Sequence, residues 1–185
     1  MKNILTIARG LNVIPLLLEL QRQPQLWNQN RARTEAPGSP HHEADDIWVR
    51  YDKGEDGYGG KPHQSVWLEA ADLLPQAKAD ARAIMNLVRG DALGGVLITR
   101  IPPGRQVKPH VDQGWHALEY DKFAMQIAAH PQQAFCYEEG QHITAPGDLF
   151  WFHNQESHWV LNDSPVERIT MIVCVKLDKP FNGGA

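Results

Sequence analysis

The chain has 185 residues, of which 42% are hydrophobic and 22% charged, and a formal net charge of −4. That length suits one domain with a true core, and the slight acidity excludes a general electrostatic attraction to nucleic acid or to an anionic membrane. Only Cys136 and Cys174 supply thiols; both lie in apolar runs and read as small buried residues in a reducing compartment, which excludes a secreted disulfide framework.

The opening "MKNILTIARGLNVIPLLLEL" is apolar, but Arg9 and Gly10 interrupt it and Pro15 follows. It lacks a small-x-small cleavage site, and no stretch reaches the roughly 18 apolar residues of a membrane span, so a cytoplasmic location without membrane contact is expected. A helix is predicted around Ile14 to Gln23, with Pro15 in its first turn. Residues 34 to 63 are rich in proline, glycine and acidic side chains, apart from the apolar island "DDIWVRY", a short strand. Long loops of this kind serve as lids or binding loops, so the segment from about 33 to 64 is expected to cover a site.

"PQAKADARAIMNLVR" places Ala77, Ala81, Ile84 and Val88 on one face, with Pro75 in the first turn and Gly90 past the end. This is an amphipathic helix. After Gly95 the period changes to alternation. "GVLITRI", "QVKPHV", "KFAMQIAA", "AFCYE", "DLFWFH", "SHWVLN" and "VERITMIVCVKL" are short β-branched and aromatic runs, several separated by turns such as "PPGR", "APGD" and "NDSP". The expectation is one domain over residues 1–185, with helices and a lid-like loop in 1–94 and a β core in 95–177. A mainly antiparallel sandwich or barrel buttressed by helices follows, and a small jelly roll fits the strand count.

Within "KPHVDQGW", His110 and Asp112 are two apart, which in a strand puts an imidazole and a carboxylate on one face. Two histidines and one carboxylate bound facially leave positions on ferrous iron for a chelating co-substrate and oxygen. His158, in "NQESHWVLN", is the candidate for the second histidine. The chain then turns at "NDSP", read as a turn rather than a glycosylation site, and returns with Arg168 in an otherwise apolar run. A buried guanidinium there needs an acceptor. It reaches solvent, pairs with Glu156 or Glu167, or receives a ligand carboxylate as a two-pronged partner. Thr99 shares a strand face with Leu97 and Ile101, so its hydroxyl points inward.

"ITRIPPGRQVKPHVD" followed by "APGDLFWFHNQESHWVLNDSPVERITMIV" resembles the aspartyl/asparaginyl β-hydroxylase branch of the Fe(II)/2-oxoglutarate oxygenases, over about residues 95 to 177. The resemblance is carried by the ordered set Thr99, Pro103-Gly104, His110, His158-Asn162 and Arg168. It implies a double-stranded β-helix of the jelly-roll, cupin-like kind and a hydroxylase. Fe(II) would be bound by His110, Asp112 and His158, with 2-oxoglutarate and O2 as co-substrates and succinate and CO2 as co-products. Arg168 with Thr99 would hold the distal carboxylate of 2-oxoglutarate. Two departures stand out. Asp112 supplies an acidic ligand that the best-known members of that branch lack. The arginine and histidine expected near the other end of the co-substrate are replaced by Lys122 and Ala124, with Gln126 next on the same face.

The substrate is expected to be a small molecule or peptide with an aspartyl/asparaginyl-like or other small acidic or amide group. It would be met by Arg33, Arg50 and Lys61 from the lid side, with Trp151 or Trp159 lining the pocket. His41-His42-Glu43 repeats the metal-pair spacing outside the β-rich half and is read as a loop or substrate-side feature, while His116, His142 and His153 are read as structural or surface groups. The alternatives are a cupin-type metal-dependent isomerase and a ligand-binding module without oxidative activity.

Overall fold

The structure is a computed structural model that describes residues 2–53, 61–179 and 181; the Gly-rich stretch 54–60 of the expected lid lies outside the described residues. In chain order the elements are β1 (Ile4–Ala8), α1 (Ile14–Arg22), a 3-10 turn at Pro24–Leu26, β2 (Asp45–Tyr51), β3 (Val66–Trp67), α2 (Ala70–Leu73) and α3 (Pro75–Leu87). There follow β4 (Ala92–Ile101), β5 (Gln106–His110), α4 (Trp115–Glu119), β6 (Asp121–Ala128), β7 (Gln133–Tyr137), β8 (Gly140–His142), β9 (Leu149–Phe152), β10 (His158–Asn162) and β11 (Arg168–Lys176). Among the described residues no helix is long and apolar enough to cross a membrane.

Both long helices carry a proline in the first turn, Pro15 in α1 and Pro75 in α3, where the N–H groups have no intrahelical acceptor. Gly90 lies past the end of α3, as expected. The left-handed residue is Arg89, at φ 56°, not Gly90. The Arg89 N–H donates to the Asn86 carbonyl and that of Gly90 to Met85, a Schellman closure. Glycine is required at 90 for another reason: a Cβ there would sit 2.1 Å from the Val175 side chain.

Two antiparallel sheets face each other. The larger runs β1-β9-β6-β11-β4-β2-β3 and the smaller β5-β10-β7-β8. Residues 1–94 therefore contribute more than helices and a loop, since β1 caps one edge of the large sheet and β2 with β3 the other. Period-2 alternation sorts the side chains. Val96, Ile98, Phe123, Met125, Met171 and Val173 point outward onto α1 and α3, where Leu16, Leu20, Ala77, Ala81 and Ile84 meet them. Inward positions such as Ile101, Val107, Ala124, Phe135, Phe150 and Phe152 form a second core between the sheets. Burial on both faces explains why "LFWF" in β9 is continuously apolar.

Asn162 locks the open end of the sandwich. Its amide, fully buried, donates to the carbonyls of Ile101, Pro102 and Val166. This ties the β4–β5 turn, where Gly104 takes φ 69°, to the β10–β11 turn. The "NDSP" segment is thus a turn built around a buried side chain.

Candidate metal centre

His110 ends β5, His158 begins β10, and the two are cross-strand partners. Asp112 follows in the loop, its N–H fixed on the Asn154 carbonyl at 3.0 Å. These three side chains converge. His110 Nε2 lies 3.6 Å from Asp112 Oδ1, and His158 Nε2 lies 3.9 Å from Oδ2. Both separations exceed a hydrogen bond, but two ligands that each lie about 2 Å from one ion are separated by roughly 3–4 Å.

The hydrogen bonds fix what each ring presents. His110 Nδ1 lies 2.8 Å from the Lys108 carbonyl and His158 Nδ1 2.8 Å from that of Glu156. A carbonyl only accepts, so each Nδ1 carries the proton and each Nε2 presents a lone pair. Two imidazole lone pairs thus face one carboxylate, an arrangement that a cation relieves, and the backbone acceptors behind them are the usual second layer of a metal site. Burial pushes the His158 imidazole down to about 4. Burial, the largest single influence, would raise the Asp112 carboxyl, but the Lys122 ammonium on its Oδ2 and the His110 and His158 rings beside it together hold it well below the usual range.

His41, read as a loop or substrate-side feature, does lie in a loop, and that loop brings it here. The Pro40 carbonyl accepts from Lys108 N–H, and Glu43 Oε2 accepts from Gln106 N–H. The segment therefore covers the edge of β5 and brings the His41 ring 4.6 Å from His110. Among the described residues the group whose ligand atoms all lie within 4.8 Å of one another is His41, His110 and Asp112, so this set competes with that of His110, Asp112 and His158. The proton positions favour His158 over His41. Arg33 Nη1 donates to His41 Nδ1 at 3.1 Å, so the neutral ring keeps its proton on Nε2 and neither nitrogen has a lone pair free for an ion. Burial and the Arg33 cation both hold His41 well below its ordinary pKa, hence neutral.

Behind the histidines a cavity between the sheets runs past Ala124, Phe135, Phe152 and Val160 to Arg168. The Arg168 guanidinium is buried, 3% exposed, and donates through Nη1 to Thr170 Oγ1 at 2.5 Å. Among the described residues its Nε and Nη2 have no hydrogen-bond partner, and neither Glu156 nor Glu167 pairs with it. Burial pushes it down to about 10. A charged group left this way costs several kcal/mol unless an anion completes it.

Several expected roles change. Thr99 does point inward and lines the cavity, but its hydroxyl donates to Asp46 at 3.0 Å and accepts from Arg33 at 2.9 Å. Arg33 is no lid residue. It is buried in a two-pronged ion pair with Asp46, which docks the 33–44 segment onto β2 and β4. Lys122 lines the cavity but is bonded to Asp112. Gln126 lies outside the lining, accepting from Thr144 and Thr170 and donating to the carbonyls of Ala128 and Ile169, so it braces the threonine that holds Arg168. Arg50 donates to the Leu93 carbonyl and stacks over Trp67, away from the cavity. Trp151 points to the outer face, its indole N–H on Asp121, and Lys61 is exposed. Thr170 was missed in the sequence, although its position two residues beyond Arg168 on the same strand was the available signal.

The buried histidines carry a pH consequence. Burial pushes His116, whose Nε2 accepts from Gly95 N–H at 3.1 Å, down to about 3. Its unfolded value is near 6.5. Above that pH both states are neutral. Below it the unfolded chain takes up a proton that the folded one refuses, so stability falls with pH until the folded ring titrates. By pH 4 the loss from His116 is on the order of 3 kcal/mol. Urea midpoints of the metal-free protein are expected to drop from pH 6.5 to 4, and His116→Gln to flatten that profile; an unchanged slope contradicts the assignment.

No family model matches the chain, and no curated protein matches it. Among solved structures it is similar to a prolyl hydroxylase from Trichoplax adhaerens, solved with a hypoxia inducible factor peptide fragment, at 11% identity and a TM-score of 0.64, covering 95% of this chain and 84% of that one. The viral collagen prolyl hydroxylase of Paramecium Bursaria Chlorella virus-1, solved as a 2-oxoglutarate complex, matches at 14% identity and a TM-score of 0.58, covering 95% and 97%. A Pseudomonas putida prolyl-4-hydroxylase matches at 17% identity and 0.55, covering 97% and 95%. At such identities the likeness shows the fold, a double-stranded β-helix, as the sequence resemblance implied.

Proposed function

We propose that the protein is an Fe(II)/2-oxoglutarate-dependent dioxygenase, with Fe(II) held by His110, Asp112 and His158. The observation that carries this reading is the buried, half-unpartnered guanidinium of Arg168 at the far end of the cavity that the three acceptors line. A five-carbon keto-diacid meets both needs, because one end chelates a metal and the other presents a planar carboxylate to Nε and Nη2. Bound together, the metal and co-substrate supply O2-dependent decarboxylation to succinate and CO2, coupled to hydroxylation of a C–H bond.

The chain's own contributions are positional. Backbone acceptors at Lys108 and Glu156 keep both histidines in the ligating tautomer, and Lys122 keeps Asp112 ionised and oriented. Thr170, braced by Gln126, aims Arg168. Phe135, stacked on His158 at 5.5 Å, and Phe152 exclude water from the diacid's path. An isomerase leaves Arg168 unexplained, and a metal-free binding module leaves unexplained the two imidazole lone pairs that face Asp112. An aspartyl or asparaginyl substrate draws no support from Arg33 or Arg50, which are engaged elsewhere.

The test is anaerobic addition of Fe(II) and then 2-oxoglutarate. A visible metal-to-ligand charge-transfer band is expected, followed on admission of oxygen by succinate in step with 2-oxoglutarate consumed. Iron binding without the band would remove the co-substrate from the proposal.

A further inference from the structure

A second lobe opens on the other side of Asp112. It shares Arg33, Asp112, Lys122 and Ile172 with the cavity that leads to Arg168, and its remaining wall includes Trp48, Tyr51, Leu97, His116 and Ala117. Resting on the oxygenase reading and deepening it, we infer that this lobe is the substrate pocket and that the group it takes is an uncharged, mainly apolar ring.

Charge argues first. The lobe's two cations are already matched, Arg33 by Asp46 and Lys122 by Asp112, and Asp112 is the one carboxylate among the described residues of its wall. A charged substrate group of either sign would leave water with no counterion among the described residues of the wall, at a cost of several kcal/mol. His116 stays neutral at working pH because burial pushes it down to about 3.

Shape argues second. The Trp48 and Tyr51 rings lie 4.7 Å apart and Tyr51 and His116 5.1 Å apart, while His63 backs both, 4.7 Å from Tyr51 and stacked on His116 at 5.5 Å. Such walls favour another ring, through buried area and edge or offset contacts. They are held in place: the Gly95 N–H anchors His116, and a Cβ at 95 would press on Tyr51 and His116 atoms at 3.1 to 3.3 Å. Gln113 on the wall offers an amide for hydrogen bonds that orient a polar substituent.

The test uses the N-acetyl amides of phenylalanine, proline, aspartate and lysine as probes. Saturation-transfer NMR on the metal-free full chain is expected to show binding of the phenylalanine or proline compound and none of the charged pair. Tyr51→Ala, which opens the wall, and Leu97→Trp, which fills the lobe, are each expected to weaken ring binding at least 10-fold while leaving the charge-transfer band with Fe(II) and 2-oxoglutarate unchanged. The inference is overturned if the charged compounds bind as tightly as the rings, if no ring binds, or if ring binding survives both substitutions. Because the NMR measurement needs neither iron nor 2-oxoglutarate, its failure is distinct from failure of the oxygenase reading, which shows as a missing band in the unaltered protein.

Discussion

Arg168→Met is expected to make the ligand-free protein more stable and at the same time to abolish tight binding of 2-oxoglutarate. The two effects have one cause. In the free protein the guanidinium is buried with Nε and Nη2 unpartnered, and replacing such a group with an apolar one of similar volume stabilises by about 1–4 kcal/mol. For a chain of this size that is a rise in melting temperature of roughly 3–10 °C. With the diacid present the order reverses. Removing one partner of a buried, two-pronged charge pair costs about 3–4 kcal/mol, a 100- to 1,000-fold loss in affinity. Thermal scans with and without saturating 2-oxoglutarate read both effects at once: the unaltered protein should gain stability from the diacid by mass action, and the variant should not. Fe(II) affinity should be unchanged. Thr170→Val, which removes the partner of Nη1, should weaken the diacid by about 10-fold. A destabilised Arg168→Met protein that still responds to 2-oxoglutarate would mean that the arginine serves packing alone.

Much of this site was legible because strands impose a period of two. The alternation in "GVLITRI" puts Leu97, Thr99 and Ile101 on one face and Val96 and Ile98 on the other, and the structure keeps that division. His110 and Asp112 do meet, but not by strand parity, since β5 ends at His110 and Asp112 is set from the loop by its N–H on the Asn154 carbonyl; the apolar setting of Arg168 shows that its charge needs an answer. What stayed hidden depends on contacts across long stretches of chain. Nothing local in "TRI" tells that Thr99 bonds Asp46, 53 residues away, or that Arg33, 66 residues away, joins them. Once that buried group forms, Thr99 and Arg33 are engaged before any ligand arrives. Trp151 failed for a different reason. In "LFWF" both faces are buried, so alternation says that Trp151 opposes Phe150 and Phe152 but not which face is inner. The register with Phe123 of β6 settles that it faces the helices. His41 lies in a loop with no period at all, and only the bonds from Lys108 and Gln106 reveal where it docks.

The choice between His158 and His41 as the second imidazole ligand has the other large expected effect. His110→Gln, Asp112→Ala and His158→Gln should each lose the metal, by more than the roughly 10- to 100-fold typical of removing an outer partner, whereas His41→Gln should fall within that range or below it. The reason is proton placement rather than distance, since His41 is packed against His110 as closely as His158 is, at 4.6 and 4.4 Å between rings. Arg33 has only donors, so it fixes the lone pair of His41 on Nδ1 and sends the proton to Nε2. The carbonyl of Glu156 does the opposite to His158. Anaerobic calorimetric titration of the four variants with Fe(II), repeated with Co(II) to read coordination from its visible bands, measures the difference. Asp112→Ala carries a second signature, because it removes a close carboxylate from the Lys122 ammonium and should lower the melting temperature of the metal-free protein, while Asp112→Asn keeps an acceptor there and should lower it less. Equal metal loss in His41→Gln and His158→Gln would show that Arg33 lets go of His41 when an ion arrives, and the ligand set would then have to include the loop histidine.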